Sequence, residues 1–291
     1  MTDKDTSFPK IRAIHLGEKL MDFSTPKIMG ILNLTPDSFY DGGKFDREER
    51  WIAQTHKMLD EGADIIDLGA VSTRPGAGEV SEKQELERLL PPLRLLLTEF
   101  PNVPFSIDTY RSQVAQQCVE AGACMINDIS GGNFDAQMFQ VIAEMKVPYV
   151  LMHIHGTPQN MQRHPVSQNI VPVVRRFFEE KTAALYNMGV EDVILDPGFG
   201  FGKTLKSNYE LLQGLNVVRT NNLPLLAGIS RKSMINKVLG TKPAEALNGT
   251  TVVHTLALMN GANILRVHDV KEAHETVKII EFYHNFGRSS K

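Results

Sequence analysis

The stretch VILDPGFGFGKT, residues 193–204, ends in the Gly-Lys-Thr of a nucleotide-binding loop, and its aspartate closes an apolar run. A phosphate-binding loop of that type has a glycine five residues before the Gly-Lys pair, so that successive N–H groups surround a phosphate. Pro197 occupies that position and has no N–H to donate, and Gly198 is one residue too close. The spacing argues against an ATP site and leaves the role of Asp196 to be explained.

Other polar side chains also stand where apolar runs end. Eight such runs are followed by residues able to bind or catalyse: Asn33, Asp67, Asp108, Asn127 with Asp128, His153 with His155, Asp196, the SRKS segment 230–233, and Arg266 with His268 and Asp269. Isolated buried charges are costly, so converging carboxylates, amides and cations indicate a shared ligand or one another as partners. Single members could instead cap loops, and Asp67 could tie down the loop that follows it.

The candidate residues divide into two groups that suit two different ligands. Cations beside small-residue segments suit a phosphate or diphosphate, and they are Arg74, Arg266 and His268. Planar acceptors and amides suit a flat heterocycle with an amino-oxo edge, and they are Asp108, Asn127 and Asp196. The residue types favour a site that holds a heteroaromatic ring beside a diphosphate.

The segment LMHIHGTP, 151–158, offers a competing interpretation, because His-x-His at a strand end can bind zinc in hydrolases. Such a centre needs further His and Asp ligands from other strand ends. The other runs offer one histidine, His268, within a basic motif that repels a cation. Zinc hydrolysis is the weaker interpretation.

The apolar runs themselves indicate the fold. They cover 27–33, 64–69, 103–108, 124–129, 147–153, 192–196, 223–228 and 263–268. Because these runs are continuous and do not alternate with polar residues, they are typical of parallel strands covered on both faces. Helical patterns separate them, one opening with a capping box at Ser81 and Gln84. Eight strand–helix units predict a (β/α)8 TIM barrel with its active site at the carboxyl ends of the strands. A doubly wound open sheet is the alternative, but its GxGxxG turn is absent.

The residues before the first run predict a β-hairpin. IRAIHLGEKLMDF, 11–23, reverses around Gly17-Glu18, and we expect this hairpin to close the bottom of the barrel. No linker or low-complexity tract interrupts the β/α pattern. We therefore expect a single domain over residues 1–291, with a core of about 11–282.

Composition excludes several classes of protein. The 291 residues are 42% hydrophobic and carry a net charge of −3, so neither nucleic acid nor an anionic membrane is an expected partner. The N-terminus lacks an apolar signal segment, and no apolar stretch reaches the ~18 residues of a membrane span. We expect a cytoplasmic protein. Its two cysteines, Cys118 and Cys124, lack the spacing of a redox pair or zinc knuckle and are expected to be ordinary buried residues.

Eight segments resemble, in order, the motifs of the dihydropteroate synthase family. They are MGILNLTPDSFYDGG (29–43), STRPGA (72–77), SIDTYR (106–111), INDISGG (126–132), GTPQNMQ (156–162), LDPGFGFGK (195–203), GISRKSMI (228–235) and ILRVHDV (264–270). The resemblance runs from about residue 11 to residue 282. Tyr40 and Val71 replace a Ser and a Glu that are commoner there, and neither substitution removes a catalytic group.

The resemblance implies a reaction and an assembly. The family joins 6-hydroxymethyl-7,8-dihydropterin diphosphate to 4-aminobenzoate, releasing pyrophosphate and giving 7,8-dihydropteroate for folate synthesis. It is a target of sulfonamides, uses Mg2+ and is typically homodimeric. The apolar faces of segments 248–262 and 270–286 exceed what one barrel layer needs, which favours a homodimer.

The resemblance also implies a role for individual residues. The pterin clamp comprises Asp108, Asn127, Asp196 and Lys232. The diphosphate site comprises Thr73, Arg266 and His268. The metal ligand is Asn33, whose single oxygen suits a Mg2+ that keeps several waters. The aminobenzoate side comprises Arg74, Pro75, Phe201 and Ser233. The loop that closes over the site contains Asp37, Phe39 and Asp41. The catalytic residues among these are Asp108, Lys232, Arg266 and His268.

We expect a dissociative mechanism. The bond to pyrophosphate breaks first, with Mg2+, Arg266 and His268 neutralising the leaving group, and carboxylates such as Asp108 stabilise the pterin methyl cation. The neutral arylamine then attacks without a strong general base. Two alternatives are a folate-dependent methyltransferase domain, which has little use for STRPG and RVHDV, and a non-catalytic pterin-binding paralogue.

Overall fold

Eight parallel strands form a closed barrel in the computed structural model, which describes residues 11–17, 19–34, 44–71, 78 and 80–286. A hairpin of β1 (Ile14–Leu16) and β2 (Lys19–Met21) precedes the barrel strands β3 (Lys27–Asn33), β4 (Ile65–Gly69), β5 (Phe105–Asp108), β6 (Met125–Asp128), β7 (Tyr149–Met152), β8 (Val193–Asp196), β9 (Leu226–Ala227) and β10 (Ile264–Val267). Hydrogen bonds join the barrel strands in the order β8-β7-β6-β5-β4-β3-β10-β9. A parallel bridge from Leu195 to Leu225 joins β8 to the start of β9. The predicted (β/α)8 barrel is confirmed, and the open-sheet alternative is wrong.

Helices cover the outside of the barrel. They are α1 (Lys44–Asp60), α2 (Glu82–Glu99), α3 (Ser112–Glu120), α4 (Met138–Met145), α5 (Ile170–Asn187), α6 (Leu205–Gln213), α7 (Leu215–Val218), α8 (Ser233–Leu239), α9 (Leu247–Met259) and α10 (Val270–Phe286). The expected capping box starts α2: Gln84 N donates to Ser81 Oγ at 3.3 Å, and Ser81 N donates to Gln84 Oε1 at 3.0 Å. None of the helices in the described residues is long and apolar enough to cross a membrane.

The hairpin closes the amino-terminal end of the barrel, as expected. Its buried residues Ile14 and Leu16 pack on the inward-facing side chains near the strand starts: Met29, Ile65, Met125, Val150, Ile194, Leu226 and Ile264. Gly17, with φ of 62°, supplies the left-handed conformation that the turn requires. Apolar residues therefore fill this end of the barrel, whereas Asp108 and Asp196 are the last residues of β5 and β8 at the opposite end.

Candidate active site

One row of backbone partners near the carboxyl ends of the strands carries polar side chains from three strands. Asn33 pairs with Gly69, Gly69 pairs with Asp108, and Asp108 pairs with Asn127. Gly69 stands between these side chains, because a Cβ there would be in van der Waals contact with both, 3.9 Å from Asn33 Oδ1 and 3.7 Å from Asp108 Oδ2. The register of β3 to β6 therefore brings these side chains to one side of the barrel mouth.

Arg266 connects two carboxylates at this mouth. Its Nε donates to Asp67 Oδ2 at 2.7 Å, and its Nη2 donates to Asp108 Oδ2 at 2.6 Å. Asn127 Nδ2 donates to the same Asp67 oxygen at 3.0 Å. Among the described residues, the second oxygen of Asp67 is buried without a hydrogen-bond partner. Asp67 is thus the centre of the cluster and does more than hold the following loop.

The charged groups of this cluster shift one another's pKa values. Burial raises the pKa of Asp108 to about 7, and the Arg266 guanidinium opposes that rise. The negative charges of Asp67, Glu85 and Asp128 raise the pKa of Asp108 further. Burial alone lowers the pKa of Arg266, but its two carboxylate partners raise it above its ordinary value. The mouth therefore holds a permanent cation beside a carboxyl group that can take up a proton near neutral pH.

Asp196 ends β8 and is almost fully buried. Gly198 N donates to its Oδ1 at 2.7 Å. Its Oδ2 lies beside Gly228, where a Cβ would be 3.7 Å away. Burial raises the pKa of Asp196, and Lys232 is the strongest opposing influence. One oxygen is thus anchored on the backbone, while the other makes no hydrogen bond within the described part of the chain.

Lys232 reaches from the start of α8 to residues 197–202, which we term the glycine loop. Its Nζ donates to the Phe199 carbonyl oxygen and lies 4.3 Å from the centroid of the Phe201 ring, a cation–π distance. Burial lowers the pKa of Lys232 to about 8, and the Asp196 carboxylate opposes that change. Ser233, the first residue of α8, is exposed. Lys232 therefore lies between the acid at the end of β8 and the aromatic ring of the glycine loop.

The glycine loop packs directly on the residues that follow β7. Gly198 and Gly202 have φ of 68° and 66°, and a Cβ at either position would overlap the carbonyl oxygen of His153 or His155. Thr204 then caps α6 with its side chain. The Gly-Lys-Thr letters therefore serve close packing and helix capping, which explains why they imitate a phosphate-binding loop without its spacing.

Side chains join the loops after β9 and β10. Arg231 donates to both carboxylate oxygens of Asp269, at 2.8 and 2.7 Å. Ser230 Oγ lies 3.0 Å from Nδ1 of the exposed His268. Arg231 thus braces the loop, whereas its neighbour Lys232 turns to the glycine loop. The two adjacent cations have different partners and different tasks.

The two histidines of the His-x-His segment have different surroundings. The His153 ring is buried and packs edge-on against Phe177, with centroids 5.1 Å apart, and burial lowers its pKa far below the ordinary value. His155 is exposed. Over the described ranges, no three His, Cys, Asp or Glu side chains are placed to hold a metal.

Asp128 has a structural role. It accepts hydrogen bonds from Tyr149 OH at 2.6 Å and from N–H groups of the next turn.

Several expected site residues lie outside the described residues: Asp37, Phe39 and Asp41 of the first loop, and Thr73, Arg74 and Pro75 of the second. The chain on both sides of the second loop is described. Arg88 Nη1 donates to Ala70 O at 3.2 Å, and Arg111 Nη2 donates to Val80 O at 2.6 Å. Two arginines therefore anchor the flanks of this loop.

Sequence reasoning left three residues of the site without an assigned role in binding. Asp67 had a visible signal, since it is a charge in the middle of a five-residue strand that is buried throughout. Lys203 was obscured by the P-loop comparison, although it proves to be buried. Ser230 was visible only as the first residue of the SRKS segment, because its contact with His268 joins two loops that are distant in the sequence.

A cavity of about 900 Å³ lies at the opposite end of the barrel, between the hairpin and helices α9 and α10. Phe23, Arg219 and Ile280 are among the residues that line it. The Arg219 guanidinium there donates to backbone carbonyls and to Asn263. The converging acids and cations are at the other end, so charge and not cavity volume identifies the candidate site.

Comparisons with known proteins agree with the motifs. Residues 29–268 match the family described as pterin binding enzyme. The dihydropteroate synthase of Escherichia coli is 43% identical over 263 residues, covering 90% of this chain and 93% of that protein. The Yersinia pestis dihydropteroate synthase, solved with a sulfonamide drug, superposes with a TM-score of 0.87 at 39% identity, covering 94% of this chain and 100% of that one.

The Xanthomonas albilineans dihydropteroate synthase adds two ligand complexes. Its structure with 4-aminobenzoic acid has a TM-score of 0.87 at 35% identity, covering 94% of this chain and 98% of that one. Its complex with 7,8-dihydropteroate has a TM-score of 0.83 at 32% identity, covering 94% and 99%.

Proposed function

The chain belongs to the dihydropteroate synthases of the pterin-binding enzyme family, and on that premise we propose how its own residues carry out that family's reaction. The reaction condenses 6-hydroxymethyl-7,8-dihydropterin diphosphate with 4-aminobenzoate, releasing pyrophosphate and forming 7,8-dihydropteroate. One observation carries the proposal: Asp196 with Lys232, and Arg266 with Asp67 and Asp108, lie around one barrel mouth. Asp196 and Lys232 suit the binding of a heterocycle. Arg266 with Asp67 and Asp108 combines a cation with neighbouring acids.

The pterin contacts Asp196 in this proposal. A carboxylate oxygen can accept from the 2-amino group and N3–H of a pterin in charge-assisted hydrogen bonds. Asn127 and Asp108 contact other edges of the ring from β6 and β5, and Lys232 donates to its O4 or N5. Support comes from the position of Asp196, whose Oδ1 is already occupied by Gly198 N–H while Oδ2 is not.

Arg266 and His268, together with Thr73, bind the diphosphate. Arg266 keeps its charge because its carboxylate partners raise its pKa, so it can stabilise the oxyanion that leaves. The Ser230 contact orients the His268 ring. The C–O bond breaks first, and Asp108, held 2.6 Å from Arg266, faces the resulting pterin methyl cation. No strong base is needed, since the arylamine attacks as a neutral nucleophile and the acidic arylammonium formed by the new C–N bond gives its proton to the released pyrophosphate or to water.

Asn33 is the residue that would hold Mg2+. Its side-chain oxygen is of the kind that Mg2+ prefers, it is exposed at the end of β3, and Gly69 stands between it and Asp108 in the strand register. When bound, the ion supplies positive charge to the diphosphate oxygens. The chain contributes the placement of Asn33 at the edge of the acid cluster.

The 4-aminobenzoate binds on the side of Phe201 and Ser233, with Arg74 and Pro75 from the second loop. The Phe201 ring is held by the Lys232 ammonium at 4.3 Å. Closure over both substrates is assigned to the loop that contains Asp37, Phe39 and Asp41. Because the Yersinia pestis relative was solved with a sulfonamide drug, we assign sulfonamide binding to the same side of this chain.

The enzyme is proposed to act as a cytoplasmic homodimer. The apolar side chains Ile279, Phe282 and Tyr283 on α10 are 69%, 72% and 64% exposed, and Val252 and Leu256 extend this surface on α9. Exposed apolar area of this kind marks an interface. Both cysteines are free thiols, which suits a reducing compartment.

Product formation tests the proposal. At steady state, continued release of pyrophosphate should require both substrates. A pterin-dependent methyltransferase domain would release none. A non-catalytic paralogue would bind pterin diphosphate without turning it over. In single-turnover experiments without 4-aminobenzoate, some cleavage of the pterin–diphosphate bond is expected, and its complete absence would favour direct displacement.

A further inference from the structure

Lys203 is a buried lysine whose hydrogen-bond partners among the described residues are all backbone carbonyl oxygens. Its side chain is enclosed beneath the glycine loop, and the residue is 4% exposed. The Nζ donates to Gly198 O at 2.8 Å and to His153 O and Phe201 O, each at 3.1 Å. An ammonium group has three N–H donors, so the charged form satisfies every donor within this cage.

Two lysines hold the glycine loop. Lys203 donates to the Gly198 and Phe201 carbonyl oxygens, while Lys232 donates to the Phe199 carbonyl oxygen and lies over the Phe201 ring. Gly200 N donates to Asn208 Oδ1 at 2.7 Å. The backbone of the loop is therefore fixed at almost every residue, which is unusual for a connection so rich in glycine.

This cage acts on the acid that ends β8. Gly198 contributes its carbonyl oxygen to Lys203 and its N–H to Asp196 Oδ1, at 2.7 Å. A shift of Gly198 would therefore move the hydrogen bond that orients the Asp196 carboxylate. The carbonyl oxygens around Lys203 Nζ are thus linked through Gly198 to Asp196, the proposed pterin contact.

Lys203 also acts on Asp196 through its charge. The charged groups that face Asp196 are Lys232, Arg266 and Lys203, and each favours the ionised carboxylate against the effect of burial. Burial lowers the pKa of Lys203 to about 7, while Asp196 opposes that shift and Lys232 adds to it. The buried lysine and the buried acid thus stabilise each other's charged forms.

We propose that Lys203 is a positioning residue for pterin recognition: its ammonium fixes the glycine loop and keeps the Asp196 carboxylate both oriented and ionised. This role rests on the proposed function of Asp196 as the pterin acceptor. It also explains why a lysine occupies a phosphate-binding position in the sequence while pointing into the protein.

The test compares Lys203→Met with Lys206→Met. Lys206 is an exposed lysine at the start of α6, three residues away, so its substitution controls for loss of one positive charge. Calorimetry with pterin diphosphate between pH 5 and pH 9 is expected to show binding weakened ~10- to 100-fold in Lys203→Met and changed less than twofold in Lys206→Met. The acidic limb of the binding profile should move to higher pH in Lys203→Met, since Asp196 then ionises less readily.

A double-mutant cycle identifies action through Asp196. In an Asp196→Asn background, Lys203→Met should reduce pterin affinity by less than about threefold, because the acid it supports is gone. If Lys203→Met fails to fold, Lys203→Gln provides the same comparison, since an amide keeps two N–H donors for the cage and loses the charge.

Three results would overturn the role of Lys203: unchanged affinity in both Lys203 variants, a uniform loss with the acidic limb unmoved, or full additivity in the cycle. Failure of the wild-type protein to bind pterin diphosphate at all would instead overturn the proposed function. The two failures are distinguishable because the second appears before any substitution is made.

Discussion

Arg266 Nη2 and Asp108 Oδ2 lie 2.6 Å apart across the barrel mouth, although 158 residues separate them along the chain. The barrel closes between β3 and β10 and thereby makes the end of the last strand a neighbour of the first ones. Arg266 uses a second nitrogen on Asp67, so the guanidinium is held in one orientation. This pair places the cation proposed for the diphosphate against the acid proposed for the pterin methyl group.

The raised pKa of Asp108 predicts a pH dependence of stability. Because burial raises this pKa from 3.8 to about 7 in the folded protein, the folded state binds more protons than the unfolded state between these values. The contribution of Asp108 to the free energy of unfolding is therefore fully present below pH ~4 and is lost as the pH rises toward 7, by at most about 1.4 kcal/mol per pH unit.

Urea unfolding at pH 5 and pH 7 measures this effect. Asp108→Asn should lose less stability than the wild type between the two pH values, whereas Glu99→Gln, at the exposed last residue of α2, should behave as the wild type. Equal pH slopes in all three proteins would show that Asp108 titrates in its ordinary range.

Lys232 and its neighbour Arg231 should respond differently to truncation. Lys232→Ala removes the cation beside Asp196 and is expected to weaken pterin diphosphate binding by ~2 kcal/mol or more, the scale for leaving a buried charge unpaired. Arg231→Ala breaks a bidentate contact with Asp269, so its main effect should be a lower melting temperature with a smaller loss of affinity. Calorimetry and thermal unfolding of both variants check the contrast, and equal affinity losses would contradict it.

Gly198→Ala and Gly189→Ala separate backbone strain from steric overlap. Both glycines have positive φ, of 68° and 82°, and alanine in that region costs about 1–2 kcal/mol. At Gly189 nothing lies within 4 Å of a Cβ, but at Gly198 the new carbon would overlap His153 O. Gly198→Ala should therefore cost about 1–3 kcal/mol more stability and also weaken pterin binding, as thermal unfolding and calorimetry can show. Similar losses for both variants would mean that the glycine loop yields to the added methyl group.

The sequence predicted the barrel well because its signals are local. Continuous apolar runs lie on all eight strands, and each run ends within two residues of the observed strand end. The run 223–228 is an instructive case, since only Leu226–Ala227 form β9. Pro224 lacks an N–H, and its carbonyl oxygen instead accepts from Leu195 N at 2.9 Å to help close the barrel.

The site was harder to predict because its contacts are not local. The residue types at the strand ends indicated acids, amides and cations, but no pattern shows that Arg266 selects Asp67 and Asp108 as partners. The direction of Lys203 was equally hidden, since a lysine after glycines has the same letters whether it faces a phosphate or three carbonyl oxygens. Both facts depend on how the barrel closes.

The proposed homodimer predicts sensitivity to charge on α10. Phe282→Glu, at a position that is 72% exposed, should convert a dimer into a 32.5 kDa monomer, because a charge buried in an apolar interface is costly. Val217→Glu, at a 52% exposed position on α7, is the matched control and should leave the dimer intact. Sedimentation velocity at micromolar concentration measures both. A wild type that sediments only as the monomer would refute the dimer.

Asp196→Asn should cause the most specific loss. An amide in place of the carboxylate directs N–H donors at the amino and N3–H donors of the pterin, which removes a charge-assisted bond and opposes like dipoles. The expected cost is ~2–4 kcal/mol in pterin affinity, or ~30- to 1000-fold. The fold should survive, since the amide oxygen can still accept from Gly198 N, the partner of Asp196 Oδ1 at 2.7 Å.

Calorimetry with pterin diphosphate and with ATP distinguishes the pterin-binding interpretation of residues 193–204 from the nucleotide-binding one. The wild type should bind pterin diphosphate and give no heat with ATP, because Pro197 offers no N–H and the Lys203 ammonium is enclosed by carbonyl oxygens. Asp196→Asn should lose pterin affinity while its melting temperature stays close to that of the wild type. ATP binding that disappears in Lys203→Ala, together with pterin affinity unaffected by Asp196→Asn, would overturn the assignment, because phosphate would then be recognised at the very lysine that the structure shows turned inward.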